Sequence, residues 1–290
     1  MRKYLLVLLC SILFVTATAQ PKRKAANFNF SGRENPFLRQ QWWIGLKGGV
    51  NVSSVKVDQS YSIIAPTNYS ADVSKKKYEK WKPMGTQIGL EATYAFRGFS
   101  ASIQPTYGTT RFRYENNYSW TDAEIPENHL DLRYEHDQQI SHLYLPLIFK
   151  YEFHLTAFSP YIQVGAYSAF LLGATKSVEV SGTDYASGGT NEFQYEQVTV
   201  GAKDLFAPNH WGIVAGGGVY YNIGNIRLNL DVQYRIAQSQ MNSGENRYKN
   251  DRLSGIGDAM DDINVNAIAV SFGTLFPLRF LSSGFKSYDK

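Results

Sequence analysis

Between residues 226 and 236 apolar and polar side chains alternate without a break. Ile226, Leu228, Leu230, Val232, Tyr234 and Ile236 share one parity, and Arg227, Asn229, Asp231, Gln233 and Arg235 the other. A helix would scatter such a set around its surface, whereas a strand puts each parity on its own face, so the stretch is a two-faced strand. Residues 87–96 and 142–153 repeat the pattern, and each is long enough to cross hydrocarbon as a tilted strand. Weaker runs at 43–53, 99–114, 161–172, 211–222 and 263–276 bring the expected strands to eight.

The connections between these strands alternate in length. Arg97-Gly98 and Gly224-Asn225 are tight-turn signals, and residues 154–160 make a slightly longer link. Residues 55–83, 115–138, 173–209 and 238–262 read as long polar loops, which would count against a compact soluble domain. They suit an outer-membrane barrel, whose short turns face the periplasm and whose long loops face outward. No apolar run after residue 20 approaches the ~20 residues of a membrane helix, so only strands can carry this chain through a bilayer. The expected fold is therefore all-β: an eight-stranded antiparallel up-and-down transmembrane β-barrel with short periplasmic turns and four long outward loops.

The ends of the chain are read separately. Arg2 and Lys3, an apolar run to Val15 and the triplet Ala17-Thr18-Ala19 make residues 1–19 a secretory signal peptide, cleaved near Ala19. Residues 20–41 form a polar periplasmic leader, 42–280 the outer-membrane barrel and 281–290 a C-terminal tail. Cys10, the only cysteine, leaves with the signal, so the mature chain is expected to hold no disulfide, zinc-thiolate site or cysteine nucleophile. The formal charge of +4 falls to about +2 on cleavage, too balanced to argue for nucleic acid. The expected location is the outer membrane of a Gram-negative bacterium.

With 20 Tyr and 17 Phe the chain is rich in rings, and they gather at the short-turn ends of the strands. Trp42, Trp43, Tyr94, Phe96, Phe99, Tyr151, Phe153, Tyr220 and Tyr221 are expected to form an interfacial aromatic girdle, because an amphipathic ring is favoured where hydrocarbon meets head groups. The polar faces carry Lys47, Glu91, Lys150, Glu152, Arg227, Asp231 and Arg235. Pointed inward, these make a lumen charge network that plugs a narrow barrel. Lys47 and Glu91 lie at similar distances from their short-turn ends and are expected to neighbour each other there.

Other constellations have bland readings. His129, His136, His142, His154 and His210 have no metal-ligand spacing, and no nucleophile-elbow motif accompanies them. Neither a cofactor nor a metal site is expected. Asp258, Asp261, Asp262 and Asn264 lack the spacing of a calcium loop and read as solvated. Gly216-Gly217-Gly218 lacks the lysine and helix of a phosphate loop and reads as a place of close packing. Lys22-Arg23-Lys24 and Lys75-Lys76-Lys77 read as solvated, the latter within reach of lipopolysaccharide phosphates if its loop faces outward. The sequons at Asn68 and Asn117 read as chance.

Several strand motifs carry a family resemblance. They are residues 45–53, Leu145-Pro146-Leu147, Pro160-Tyr161 with Gly165, Gly216-Gly217-Gly218-Val219-Tyr220, and Gly273-Thr274-Leu275-Phe276. Over residues 42–280 the chain resembles the outer-membrane β-barrels of Bacteroidota grouped as PorT-like or "porin family" proteins. The resemblance implies an eight-stranded barrel, and in one branch an accessory role in type IX secretion. The polar lead and the tail depart from it, leaving the terminal assembly aromatic at Phe276 or Phe280. The expected function is non-enzymatic: binding or scaffolding through extracellular loops, or support of a secretion complex. Outer-membrane lipid, lipopolysaccharide and secretion proteins are the partners in view. The alternatives are a soluble lipocalin-like carrier of an apolar ligand and an outer-membrane lipid-modifying enzyme.

Overall fold

The structure is a computed structural model and describes residues 40–61, 76–153, 156–185, 189–223, 226–247 and 259–278. The signal peptide, residues 20–39 of the leader, His154, Gly224-Asn225, Asn68, Asp258, Phe280 and the tail 281–290 lie outside the described residues. The strands are β1 (Gln40–Gln59), β2 (Lys77–Tyr78), β3 (Met84–Phe96), β4 (Phe99–Ile103), β5 (Thr106–Thr121), β6 (His129–Glu152), β7 (Phe158–Asp184), β8 (Asn191–Gln194), β9 (Val198–Gly201), β10 (Asn209–Ile223), β11 (Ile226–Ala237) and β12 (Asp262–Pro277). A 3-10 turn at Lys203–Leu205 follows β9.

Strands β4 and β5 are one barrel strand interrupted at Gln104-Pro105. Proline has no N–H to give the ladder, and here the exchange runs one way: Leu90 N–H donates to Pro105 O at 2.9 Å and Gln104 N–H to Pro146 O at 3.1 Å. Counted so, eight antiparallel strands form a ring, which closes because β1 pairs with both β3 and β12. The register fixes the tilt. Followed from Trp43, the pairs run through Thr93, Ser102, Ile148, Gly165, Val214, Arg235 and Ala267 and return to β1 at Ser53, ten residues further on. A stagger of ten residues over eight strands inclines them by about 40° to the barrel axis, which leaves an interior that side chains can fill.

Parity sorts the side chains as a wall between two media requires. On β11, Leu230, Val232 and Tyr234 are exposed outward while Arg227, Asn229, Asp231, Gln233 and Arg235 are buried inward. A soluble carrier would need the reverse, with leucines inside and charges in water. Where large side chains fill the lumen, neighbouring strands approach closely over glycine. A Cβ on Gly218 would stand 2.5 Å from the Tyr161 hydroxyl and 2.3 Å from Leu230 O.

The expected loops 115–138 and 173–209 are corrected in large part to strand. Strands β5, β6 and β7 run on to Thr121, back from His129 and out to Asp184, with β8 and β9 pairing successively against β7. Periodicity missed them because beyond the lipid both faces contain polar residues, which erases the alternation that marked the membrane part. The barrel starts slightly before its expected boundary, with Gln40 and Gln41 already in β1, and its last strand ends at Pro277 with Phe276 inside it.

Candidate functional site

Three layers follow one another along the barrel, and the first is the lipid-facing belt. Trp42, Phe96, Phe99, Tyr151, Phe153 and Tyr221 are exposed outward at the short-turn end, with Trp42 packed on the Tyr94 ring at 4.9 Å. Trp43 and Tyr220 are corrected out of this girdle: they are 1% and 0% exposed and point into the lumen. Each is the direct neighbour of an outward ring, Trp42 or Tyr221, and successive residues of a strand cannot face the same side. A second ring of aromatics was missed in the sequence because its members come from separate strands. Tyr107, Trp211, Phe170 and Tyr234 are exposed outward at the far end, and Trp81 approaches Tyr234 at 6.4 Å. From Trp211 to Tyr221 on β10 the belt rises ten residues, or about 25 Å along the axis at this tilt. That is the height of the apolar band of an outer-membrane barrel.

The second layer is the polar lumen inside that belt. All seven of the inward charges named from the sequence are buried. Lys150 donates to Glu91 at 2.6 Å and to the Tyr220 hydroxyl at 2.8 Å, and Arg227 donates to Glu152 at 3.1 Å and through Nε to Asn222 at 2.8 Å. The Arg227 guanidinium also lies 4.4 Å from the centres of both the Trp43 and Tyr220 rings. Stacking and ion pairing together offset part of the hydration this guanidinium lost on burial, its Nη2 having no hydrogen-bond partner among the described residues. Asp231 accepts from Gln163 at 2.7 Å, and Arg235 stands 4.8 Å over the Tyr144 ring. Lys47 and Glu91 lie near each other on the inner face, as expected, but as diagonal neighbours, and each side chain takes another partner. Lys47 is opposite Gly89, not Glu91, and it donates to Gln104, while Glu91 takes Lys150 from β6, the next strand but one. Parity predicted which residues point inward but not which strand faces which across the interior.

Above this lies an apolar stopper at the outward mouth. Val55, Phe112, Ile140, Ile263 and Val265 from the wall enclose Val200, Ala202, Leu205, Phe206, Met241 and Met260 from the connections. Backbone bonds hold those connections in place: Ala202 N–H to Ala174 O at 2.9 Å, Ala207 N–H to Met241 O at 2.9 Å, and Met241 N–H to Ile263 O at 3.0 Å. Three residues read as solvated are corrected here. Asp261 is 1% exposed and accepts from Lys76 at 2.8 Å, from the Tyr78 hydroxyl at 2.8 Å and from Tyr61 N–H at 2.9 Å. The Lys76 side chain, just before β2, is likewise buried, whereas that of Lys77, the first residue of β2, is exposed. Asp262 accepts from Asn242 at 2.7 Å and from Arg247, tying a second connection to β12. Carboxylates that looked like loop solubility are anchors, because a buried carboxylate with several donors fixes its segment.

A match of residues 19–243 to the model of the outer membrane protein beta-barrel domain family joins the closed ring and the lipid-height belt. The chain belongs to that family. As an outer-membrane barrel it is placed in the outer membrane. Among solved structures this barrel is similar to Neisserial surface protein A, at 13% identity over 81% of this chain and 96% of that one, with a TM-score of 0.31. Ail, the attachment invasion locus protein of Yersinia pestis, matches at 12% identity in its complex with the heparin analogue sucrose octasulfate, over 81% and 99% of the chains, with a TM-score of 0.27. The outer membrane protein AlkL in DMPC bilayers matches at 11% identity over 84% and 93%, with a TM-score of 0.35. No functionally curated protein matches the sequence.

The histidines of this outer-membrane barrel fall in separate places. His136 is buried against Asn116 at 2.6 Å and stacks on Tyr114. His142 and His210 meet edge to face at 4.8 Å inside the wall beside Tyr144, while His129 stacks on Tyr185 at the outward tip. No group of three or more metal-ligating side chains comes together among the described residues.

Proposed function

We propose that this outer-membrane barrel is closed to solutes and non-enzymatic, and that it acts by binding or scaffolding through its outward sheet and connections, in the manner of the PorT-like barrels that accompany secretion machinery. One observation carries the reading: the lumen is obstructed twice, by the ion-paired layer around Lys150 and Glu91 and by the apolar stopper around Leu205, while β5, β6 and β7 continue outward well past the belt. Material invested in a wall that encloses no passage serves a surface. The outer face of that sheet is polar across four strands, with Asn117, Asp131, Ser181 and Glu192 lining a cleft of about 700 Å³.

The test pairs two measurements on wild-type protein. In planar bilayers the barrel passes no steady current, and in cells a photo-crosslinker placed at Ser181 captures protein while one at Leu230 captures lipid. A steady open current, or no protein adduct at the sheet, overturns the proposal.

A further inference from the structure

Two histidines that take no part in the function proposed above are packed against each other under the stopper. In the ladder His142 of β6 is opposite Leu171 of β7, and His210 of β10 is opposite Ala169 of the same strand. Ala169 is small and fully buried, which leaves room for the two rings to lean over β7 and meet, 4.8 Å between centres and nearly perpendicular. Both imidazoles are out of water, at 0% and 4% exposure. His142 Nδ1 lies 3.4 Å from the Tyr144 hydroxyl, which is itself shared with Thr110 of β5 at 2.9 Å. His142 Nε2 and His210 Nδ1 have no hydrogen-bond partner among the described residues. The ionisable groups packed around the pair are Tyr144 on β6, Tyr167 on β7 and, over the Tyr144 ring, Arg235 on β11. Among the described residues no carboxylate acts on either imidazole, so a proton arriving there finds no counter-charge.

The pair also stands at the root of the stopper. His210 is one residue outward of Trp211, and His142 pairs with Gly108, one residue outward of Tyr107, so both lie just beyond the outer aromatic ring. Phe206 is four residues before His210, and the segment between them is tied to the wall beside His142, where Leu171 N–H donates to Pro208 O at 2.9 Å. We propose that the contact of His142 with His210 is an acid-sensitive latch, which holds residues 202–208 in the mouth while both rings are neutral and releases them when the rings take up protons. The sign follows from exposure. With the connection released, both imidazoles meet water and bind protons in the ordinary histidine range, about pH 6.5, whereas in the closed mouth neither is charged without a partner. Release therefore gains about tenfold per histidine for each pH unit below that range, or about a thousandfold at pH 5 for the two together. The layer of Lys150 and Glu91 beneath is left in place, so the latch moves the mouth without opening a passage. Its failure leaves the function proposed above standing.

The experiment reads the mouth by thiol labelling. Cys10 is expected to leave with the signal, so Leu205→Cys places a single thiol in the stopper of the whole mature chain. Its reaction with a water-soluble, uncharged maleimide is measured on barrels in nanodiscs from pH 7.5 to 4.5. Each rate is divided by that of a Ser181→Cys barrel at the same pH, which removes the titration of the thiol. The normalised rate is expected to rise at least tenfold from pH 7.5 to pH 5, more steeply than one proton allows, and to fall back when unlabelled protein is returned to pH 7.5. With His142→Phe and His210→Phe added, which keep a ring contact but bind no proton, the rate is expected to stay flat, although Asp261 and Asp262 are still present. Labelling at pH 7.5 as fast as at Ser181→Cys, protection that persists at pH 5, a one-proton rise, or the same rise with both phenylalanines each overturns the proposal. If the doubly substituted barrel does not insert, His210→Phe alone decides it: loss of the two-proton slope is expected, and an unchanged profile overturns the latch.

Discussion

Lys150 and Glu91 approach more closely than Arg227 and Glu152 within the lumen, and the environment of the pair sets what a substitution does. Both side chains are out of water, so removing one leaves the other charged in a confined interior. Glu91→Gln or Lys150→Met is expected to lower stability by about 3–5 kcal/mol, and the double variant by less than the sum of the two. Heat-denaturation midpoints in detergent measure this, and strictly additive losses would show that the charges do not meet. The residue scale also separates Trp42 from Trp43. Trp43→Ala removes a buried ring that shields Arg227 and is expected to cost about 3–5 kcal/mol, whereas Trp42→Ala trims an interfacial ring and costs far less. Comparable losses at both positions would place both rings in one environment and contradict the alternation. That these two tryptophans face opposite ways is legible in their adjacency alone. That Arg227 lies between Trp43 and Tyr220 is not, because Tyr220 comes from the neighbouring strand β10 but Trp43 comes from β1 and reaches Arg227 only through closure of the ring past β12.

At the scale of elements, each strand is two segments with different solvents. Below the outer aromatic ring a strand faces lipid, and an arginine on that face must cross hydrocarbon to reach water. Leu230→Arg on β11 is therefore expected to impair the barrel by about 2–4 kcal/mol if it lies near the midplane, falling toward zero nearer either interface. Ser181→Arg, on the outward face of β7 above the belt, meets water and is expected to stay within about 0.5 kcal/mol of wild type. Midpoints of folding into bilayers compare the two, and equal costs would mean that the belt is not where its exposed side chains place it. The inward neighbour Asn229 makes a poor control, because it accepts from Tyr161 at 2.9 Å in a filled lumen and has no room for arginine. The membrane parts of β3, β6 and β11 were plain in the sequence since one face is greasy and the other is not. The outward parts of β5 to β7 were hidden, for the polar residues there satisfy the same ladder without any contrast between faces.

For the whole molecule, ring closure decides behaviour. Every barrel strand has two neighbours, with no free edge in the membrane at which detergent can begin to peel the sheet. The protein is expected to run at different mobilities in unheated and boiled gel samples and to need detergent for extraction. A single mobility at all temperatures, or recovery in the soluble fraction, would contradict the closed ring. By itself the sequence determined the number of barrel strands and which side chains share a face, because these follow from parity, and parity is local, whereas which of the two faces meets lipid was decided by burial in the closed ring. Only the tertiary structure decided the stagger of ten residues, the partner of each lumen charge, and the folding of Leu205, Phe206, Met241 and Met260 into the mouth. These depend on which residues a closed and tilted wall brings face to face, and the distances that settle them are distances through space between segments far apart in the chain.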